Sequence, residues 1–372
     1  MKIFKEELTK KIQQSSKNNF GIENFDEYRY GEYSPPSEIN KSFIELVKYV
    51  VKKIINHEKS RIKKLEITLI NRYGNDLEKI FSNLNSESQN LLVELIAYRL
   101  LGNKKVKLER NNNEYWQAIA LAKSLADPND RYDRKFMHFI FEKFNLKLAG
   151  YDLQLYFSTI GIAIDFIIEQ YAFKINNKNI VFVEKGDIVL DVGGCWGDTA
   201  LYFAHQTGEQ GKVYSFEFIP DNISFFNVNT SLNPNFKSTI KLIENPVSDN
   251  TGDIIYFKDN GPGSKIEFEP FDGQTGFSTT VSIDDFVRSN NIERIDFIKM
   301  DIEGAEPVAL KGAIETIKKH RPKLAIAIYH TMADFVNIPN WILDLNLDYE
   351  IFIGHYTIHA EETVCFAKPR SK

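Results

Sequence analysis

The chain has 372 residues, 46 Lys and Arg against 51 Asp and Glu, a net charge of −5, and two cysteines, Cys195 and Cys365. Its 43% hydrophobic content excludes wholesale disorder, and two cysteines so far apart exclude both a disulfide scaffold and a Cys-rich zinc module. The start, MKIFKEELTKKIQQ, lacks the apolar stretch of a leader, and no apolar run approaches the ~20 residues of a bilayer span, so a soluble cytoplasmic protein is expected.

The length suggests two domains, and the charge divides with them: residues 1–150 sum to +7 and residues 151–372 to −12. Residues 1–41 are polar and end in Tyr33-Ser34-Pro35-Pro36-Ser37, which reads as a loosely ordered arm. From Phe43 the residues Leu46, Val47, Val50, Val51, Ile54 and Ile55 follow helical spacing. Further helices are expected over Ser88–Leu101, Tyr115–Leu125 and Lys135–Leu146, making residues 1–149 a mainly helical N-terminal domain.

After Gly150 short apolar runs alternate with helical ones. Strands are expected at Ile188–Val192, Lys212–Phe218, Lys241–Ile243, Ile254–Phe257, Ile295–Met300, Lys323–Tyr329, Ile351–Ile353 and Thr363–Ala367. Helices fall between them at Thr199–His205, Ile223–Leu232, Glu306–Lys319 and Ile338–Leu345. The alternation predicts an α/β fold with a largely parallel sheet. The last two runs are too close for a helical crossover and predict an antiparallel hairpin at one sheet edge.

Open parallel sheets bind ligands at the carboxyl ends of their strands, so the residues that follow each run are the candidates. The first set is Asp191-Val192-Gly193-Gly194-Cys195-Trp196-Gly197, a strand entering a glycine-rich turn. Val192 stands where a dinucleotide fingerprint needs its first glycine, and Asp191 puts a carboxylate at the strand end. That chemistry suits an amino or sulfonium group better than a phosphate, although such a turn also serves close packing alone. Glu217 ends the next strand, 20 residues after Gly197, where a carboxylate can accept from two ribose hydroxyls or simply be solvated.

Asp301, Glu303 and Glu306 follow the Ile295–Met300 strand, three acids that are costly together unless solvated, catalytic or metal-bound. Glu306 reads as a partner for the positive end of the helix that follows, and Asp301 as a functional residue. His330 ends the apolar run Leu324–Tyr329, where an imidazole serves packing as readily as catalysis. His355, His359 and Glu361 share a face if the chain there is extended, and would then line the same mouth.

The stretch from about residue 150 to 372 resembles the FkbM family of S-adenosylmethionine-dependent methyltransferases, a branch of the class I Rossmann-like enzymes. The resemblance is carried in order by Asp191–Gly197, Phe216-Glu217-Phe218-Ile219-Pro220, Val281–Phe286, Ile295–Glu306, Gly312-Ala313, Arg321-Pro322-Lys323-Leu324 and Glu362–Ala367. Gly194-Cys195 stands where the family usually has Ala-Asn, and Pro246 where a small residue beside the adenine is usual. The resemblance implies a seven-stranded, mostly parallel sheet with an antiparallel edge strand, S-adenosylmethionine as cofactor, and methyl transfer to a hydroxyl oxygen of a sugar or secondary metabolite.

On this reading Asp191, Gly193, Gly194 and Gly197 cradle the amino-acid end of the cofactor, Glu217 holds the ribose, and Phe218 with Val247 flank the adenine. Asp301 borders the methyl group and the acceptor, and His330 is the general base. No metal is expected, the alternative being a mixed oxygen and nitrogen set of Asp301, His330 and His355. The expected partner is a small-molecule or glycan hydroxyl, with neither membrane nor nucleic acid; the basic N-terminal half suits an interface between copies of the chain or a lid over an anionic acceptor. Two rival readings use the same residues: an NAD(P)-dependent oxidoreductase, against which Val192 speaks, and a non-catalytic nucleic-acid-binding protein, which would rest on the +7 half.

Overall fold

The computed structural model describes residues 3–34, 44–261 and 263–370, and the side chains of all of these except 44–58, 134 and 135. They divide into two compact units, residues 1–112 with 357–360, and residues 113–356 with 361–372.

The first unit is helical from its start. Helix α1 (Ile3–Ser15) replaces the loose arm expected there, because Phe4, Leu8 and Ile12 form a buried stripe at i, i+4 spacing within an otherwise polar stretch. The carboxylate of Glu78 accepts from the free amides of Ile3 and Phe4 at 2.9 and 3.1 Å, which caps the helix from outside. Residues 35–41 of the expected arm lie outside the described residues. A short helix α2 (Glu27–Tyr30) is capped by Asp26, whose side chain accepts from the Tyr28 and Arg29 amides. The 40-residue helix α3 (Ile44–Asn83) runs for about 60 Å. Of the apolar stripe that predicted it, Phe43 lies outside the described residues and Leu46–Ile55 outside the described side chains. Helix α4 (Ser86–Leu101) starts at Asn85, whose side chain accepts from the Ser88 amide, and buries Leu92, Leu95 and Ile96.

The second unit opens with α5 (Asn113–Leu125) and an antiparallel sheet of β1 (Ala126–Phe136), β2 (Phe139–Asn145) and β3 (Gln154–Phe157), in that order. The helix expected over Lys135–Leu146 is therefore strand β2. The three-residue spacing of the buried Phe141 and Phe144 imitates a helical period, but Met137 at φ 51° turns the chain into a hairpin, and the aromatic run favours pleated backbone. A short helical turn α6 (Thr159–Gly161) continues into a π-helical turn over Ile162–Ile167, and β4 (Phe173–Ile175) pairs with β5 (Lys178–Val181).

The main sheet follows. In chain order come β6 (Ile188–Val192), α7 (Asp198–Thr207), β7 (Lys212–Phe216), α8 (Pro220–Ser231) and β8 (Ile240–Ile243). After them come β9 (Ile254–Lys258), β10 (Lys265–Glu267), β11 (Gly276–Thr279), α9 (Ile283–Ser289) and β12 (Phe297–Met300). Then α10 (Glu306–Ala309), α11 (Ile314–His320), β13 (Lys323–Ala327), α12 (Asp334–Asp344), β14 (Tyr349–His355) and β15 (Thr363–Pro369) complete the chain. Seven strands form one sheet in the order β14-β15-β13-β12-β6-β7-β8. Its body, β13 through β8, is parallel, and β15 runs antiparallel to both β13 and β14. The terminal hairpin thus sits at the edge, with its antiparallel member one place inside β14.

The run Ile254–Phe257 does not join this sheet; as β9 it centres a separate antiparallel sheet, β10-β9-β11. Only Ile255 and Phe257 are buried, alternating with the exposed Ile254 and Lys258 and the half-buried Tyr256, and a strand with one dry face suits an antiparallel sheet rather than a parallel one covered on both sides. In the main sheet the strand order reverses at β6, between β7 and β12, so the crevice for a ligand opens at the carboxyl ends of these three strands.

Candidate active site

Strand register decides what surrounds the first motif. Asp191 on β6 lies opposite Ser215 on β7 and Lys299 on β12. The Asp191 carboxylate is fully buried, accepts from the hydroxyls of Thr199 at 3.0 Å and Ser215 at 2.7 Å, and stands 3.2 Å from the Lys299 ammonium. Burial works against the charge on Lys299, but Asp191, Asp301 and Asp198 more than offset it and hold its pKa above the ordinary lysine value. Lys299 in turn donates to the carbonyls of Val192 and Gly193. Asp191 therefore acts inward, as the anchor of a buried network that fixes the turn, rather than as an open face toward a ligand.

The turn itself requires glycine at two positions. At Gly193, with φ +89°, a Cβ would meet the Asp301 carbonyl oxygen at 1.9 Å; at Gly194 it would meet the Ser215 hydroxyl at 2.0 Å. These contacts draw the end of β6 against the ends of both neighbours. Gly197, also at positive φ, is the N-cap of α7 and packs on Phe226. Below the turn, Trp196 donates to Asn222 at 3.0 Å and sits among Phe136, Phe141, Phe157 and Phe225.

Glu217 follows β7. One of its oxygens accepts from the Phe218 and Ile219 amides, both at 2.7 Å, and the other from Asn222 at 3.3 Å. Burial pushes its pKa up to about 6 against these hydrogen bonds, so near neutral pH it is an oriented carboxylate with acceptor lone pairs to spare. Phe218 is half-buried, its ring 5.5 Å from that of Phe257, and the half-buried Val247 bridges to Val281.

Asp301, after β12, accepts from the hydroxyls of Tyr171 and Tyr329 at 3.2 Å. His330, after β13, stacks on Tyr329 and lies between carboxylates: Nε2 is 3.4 Å from Asp301 and 3.6 Å from Glu303, and Nδ1 is 3.4 Å from Glu306. The two strands are neighbours in the sheet, as their places in the sequence suggest. Glu306 is more than a helix-dipole partner, since it is fully buried and accepts from the Ile302 amide at 2.7 Å. Burial, then Asp301, pushes its pKa up to about 8, and the same causes push Glu362 to about 8.

His355 does not join this group. It is buried on β14 with Nδ1 2.9 Å from the Thr363 hydroxyl, so the metal set that included it gives way to Asp301, Glu306 and His330. His359 belongs to the first compact unit, where it stands 3.7 Å from Asp26, and the shared face of an extended segment does not form because β14 ends at His355. Sequence reasoning also missed Lys299, Ser215, Thr199, Asn222, Tyr171 and Tyr329. Lys299 carried a usable signal, a charge in the middle of an apolar strand; the others are ordinary polar residues that gain meaning only through register.

The mouth is thus lined by acidic side chains, of which Glu306 and Glu362 are held mostly protonated near neutral pH, and the buried Lys299 beneath it is already engaged with Asp191. A phosphate would be repelled here, whereas a sulfonium and a ribose match the donor set. Residues 181–351 match the family model of the methyltransferase FkbM domain. This segment belongs to the FkbM methyltransferase family. The matched domain is a methyltransferase domain, so of the three sequence readings methyl transfer is the one that this match favours. The 2-O-methyltransferase NoeI of Sinorhizobium fredii is 27% identical over 169 residues, 40% of this chain and 67% of that protein. Methyltransferase FkbM of Methylobacillus flagellatus KT aligns at 24% identity with a TM-score of 0.41, over 74% of this chain and 65% of that one, so the chain spans just under two thirds of that protein. Aeropyrum pernix fibrillarin, solved with natively bound S-adenosylmethionine, aligns at 12% identity with a TM-score of 0.33, over 64% of this chain and 96% of that one. Among the described residues no helix is long and apolar enough to cross a membrane.

Proposed function

We propose that the whole chain is an O-methyltransferase acting on a hydroxyl of a sugar or other small molecule. The observation that carries this reading is the meeting of the glycine turn, Glu217 and the Asp301–His330 pair at the carboxyl ends of adjacent strands, together with the FkbM match and the likeness to a relative named for methylating an oxygen. S-adenosylmethionine, when bound, supplies a methyl group already activated by its sulfonium. What remains for the chain is to hold the cofactor, align the acceptor oxygen and release the acceptor's proton.

Each task has residues suited to it. The backbone of Gly193, Gly194 and Gly197, fixed from beneath by Asp191 and Lys299, receives the amino-acid end. Glu217 accepts from the ribose hydroxyls, and Phe218 and Val247 flank the adenine. Asp301, oriented by two tyrosine hydroxyls, and His330 activate the acceptor hydroxyl. Replacing His330 with Gln is expected to abolish turnover, measured as methyl transfer from labelled S-adenosylmethionine, while cofactor binding stays nearly intact. Unchanged turnover would remove His330 from the mechanism.

A further inference from the structure

We propose that Asp301, Glu306 and His330 form a binding site for a divalent cation of the Mn2+ type, and that the ion holds and acidifies the acceptor hydroxyl. The inference rests on the reading of this mouth as the acceptor site and gives the imidazole a different task from the base expected from sequence.

One ligand atom from each of the three residues lies within 4.8 Å of the others. Six-coordinate ions with ligand bonds of about 2.1 Å keep neighbouring donors about 3 Å apart and opposite ones about 4.2 Å apart. His330 meets the two acids through different nitrogens, Nε2 at 3.4 Å from Asp301 and Nδ1 at 3.4 Å from Glu306, and one of the two supplies the ligand atom of the set. The second observation is independent of the acids. The His330 side chain is 8% exposed, and neither of its nitrogens has a hydrogen-bond partner; the approaches to the carboxylates lack the alignment of one. The buried Oε2 of Glu306 is likewise without a donor. Buried polar atoms are almost always satisfied, and the two nitrogens of one ring point apart, so the unsatisfied Glu306 oxygen and one unsatisfied His330 nitrogen, with Asp301 in reach, indicate a missing partner that is an electron-pair acceptor. Two carboxylates and one imidazole suit Mn2+, with Mg2+ preferring all-oxygen sites and Zn2+ richer nitrogen or sulfur sets.

The surroundings finish the site. Tyr171 and Tyr329 donate to Asp301 and fix its orientation, and the Ile302 amide does the same for Glu306, as supporting partners of ligands commonly do. Three protein ligands leave positions for water or for an alcohol oxygen. An alcohol bound there loses its proton to solvent and keeps the electron pair on oxygen. That oxygen forms the new bond to the methyl carbon, while the pair of the breaking carbon–sulfur bond stays on sulfur.

The test uses the full chain stripped with a chelator and titrated with Mn2+, followed by calorimetry and by electron spin-echo modulation. One Mn2+ per chain is expected, with an imidazole nitrogen in the modulation that disappears in His330→Gln. Glu306→Gln, which keeps the size of the side chain and its acceptor for Ile302, is expected to weaken binding at least tenfold with its circular dichroism unchanged. Absence of Mn2+ binding by the wild-type chain, or binding that both variants leave unaltered, would overturn the site. Titration with S-adenosylhomocysteine separates the two ideas: binding of S-adenosylhomocysteine without Mn2+ removes only the metal site, and Mn2+ binding without S-adenosylhomocysteine removes the methyltransferase reading and leaves the site standing.

Discussion

Replacing Lys299 with Met tests whether the glycine turn depends on a buried charge pair. The lysine side chain is 2% exposed and that of Asp191 is 0% exposed, at a separation of 3.2 Å. Removing the ammonium leaves the Asp191 carboxylate with the Thr199 and Ser215 hydroxyls, and takes a donor from the carbonyl of Gly193 and one of two from that of Val192, which keeps the Asp301 amide. Breaking a buried pair from one side costs about 3–5 kcal/mol, whereas removing both charges costs far less because no uncompensated ion remains. Urea unfolding followed by tryptophan fluorescence, to which Trp196 under the turn contributes beside Trp116 and Trp341, is expected to show a loss in that range for Lys299→Met. The double variant Asp191→Asn with Lys299→Met is expected to recover about 2 kcal/mol relative to the sum of the single losses. A single-variant loss below about 1 kcal/mol, or strictly additive effects, would refute the claim that this pair holds the turn.

Three further outcomes follow from the site. Gly194→Ala forces a Cβ to 2.0 Å from the Ser215 hydroxyl, and an overpacking cost of about 1–3 kcal/mol is expected in the same unfolding assay, with weakened S-adenosylhomocysteine binding by calorimetry. Glu217→Ala removes the charged acceptor proposed for the ribose hydroxyls, worth about 1.5–3 kcal/mol per hydrogen bond, so affinity is expected to fall tenfold or more. The Glu217 carboxyl has a folded pKa raised from 4.5 to about 6, so between these values the folded chain binds more protons than the unfolded one. The contribution of this group to stability is therefore greatest at low pH and is lost as pH rises through about 6. Cofactor affinity runs the other way, strengthening as the carboxylate ionises. Titrations between pH 5 and pH 7.5 are expected to show that rise in the wild-type chain and to lose the Glu217 component in Glu217→Gln.

Much of this site was legible because strand ends carry ligand chemistry. The glycine turn, Glu217, Asp301 and His330 all follow apolar runs in the sequence, and the sheet brings those runs side by side. What could not be read was lateral register. Asp191 looked like an open carboxylate until pairing set Lys299 on one side and Ser215 on the other, and Glu306 looked like a helix-terminal charge until His330 closed over it. The errors in the fold share a cause. Phe4, Leu8 and Ile12 form a helix face too sparse to stand out among Lys, Glu and Gln, and the Phe141–Phe144 spacing copies a helical period within a strand. In each case tertiary burial selected between local patterns that the residues alone left close in energy.

The central claim is that the crevice between Gly193 and Glu217 receives a sulfonium nucleoside, and calorimetric titration of the full chain with S-adenosylhomocysteine, run beside NAD, tests it most directly. The account predicts saturable binding of one S-adenosylhomocysteine per chain, weakened at least tenfold by Glu217→Ala, and no heat of binding with NAD. Saturable binding of NAD, or S-adenosylhomocysteine affinity that Glu217→Ala leaves unchanged, would contradict it.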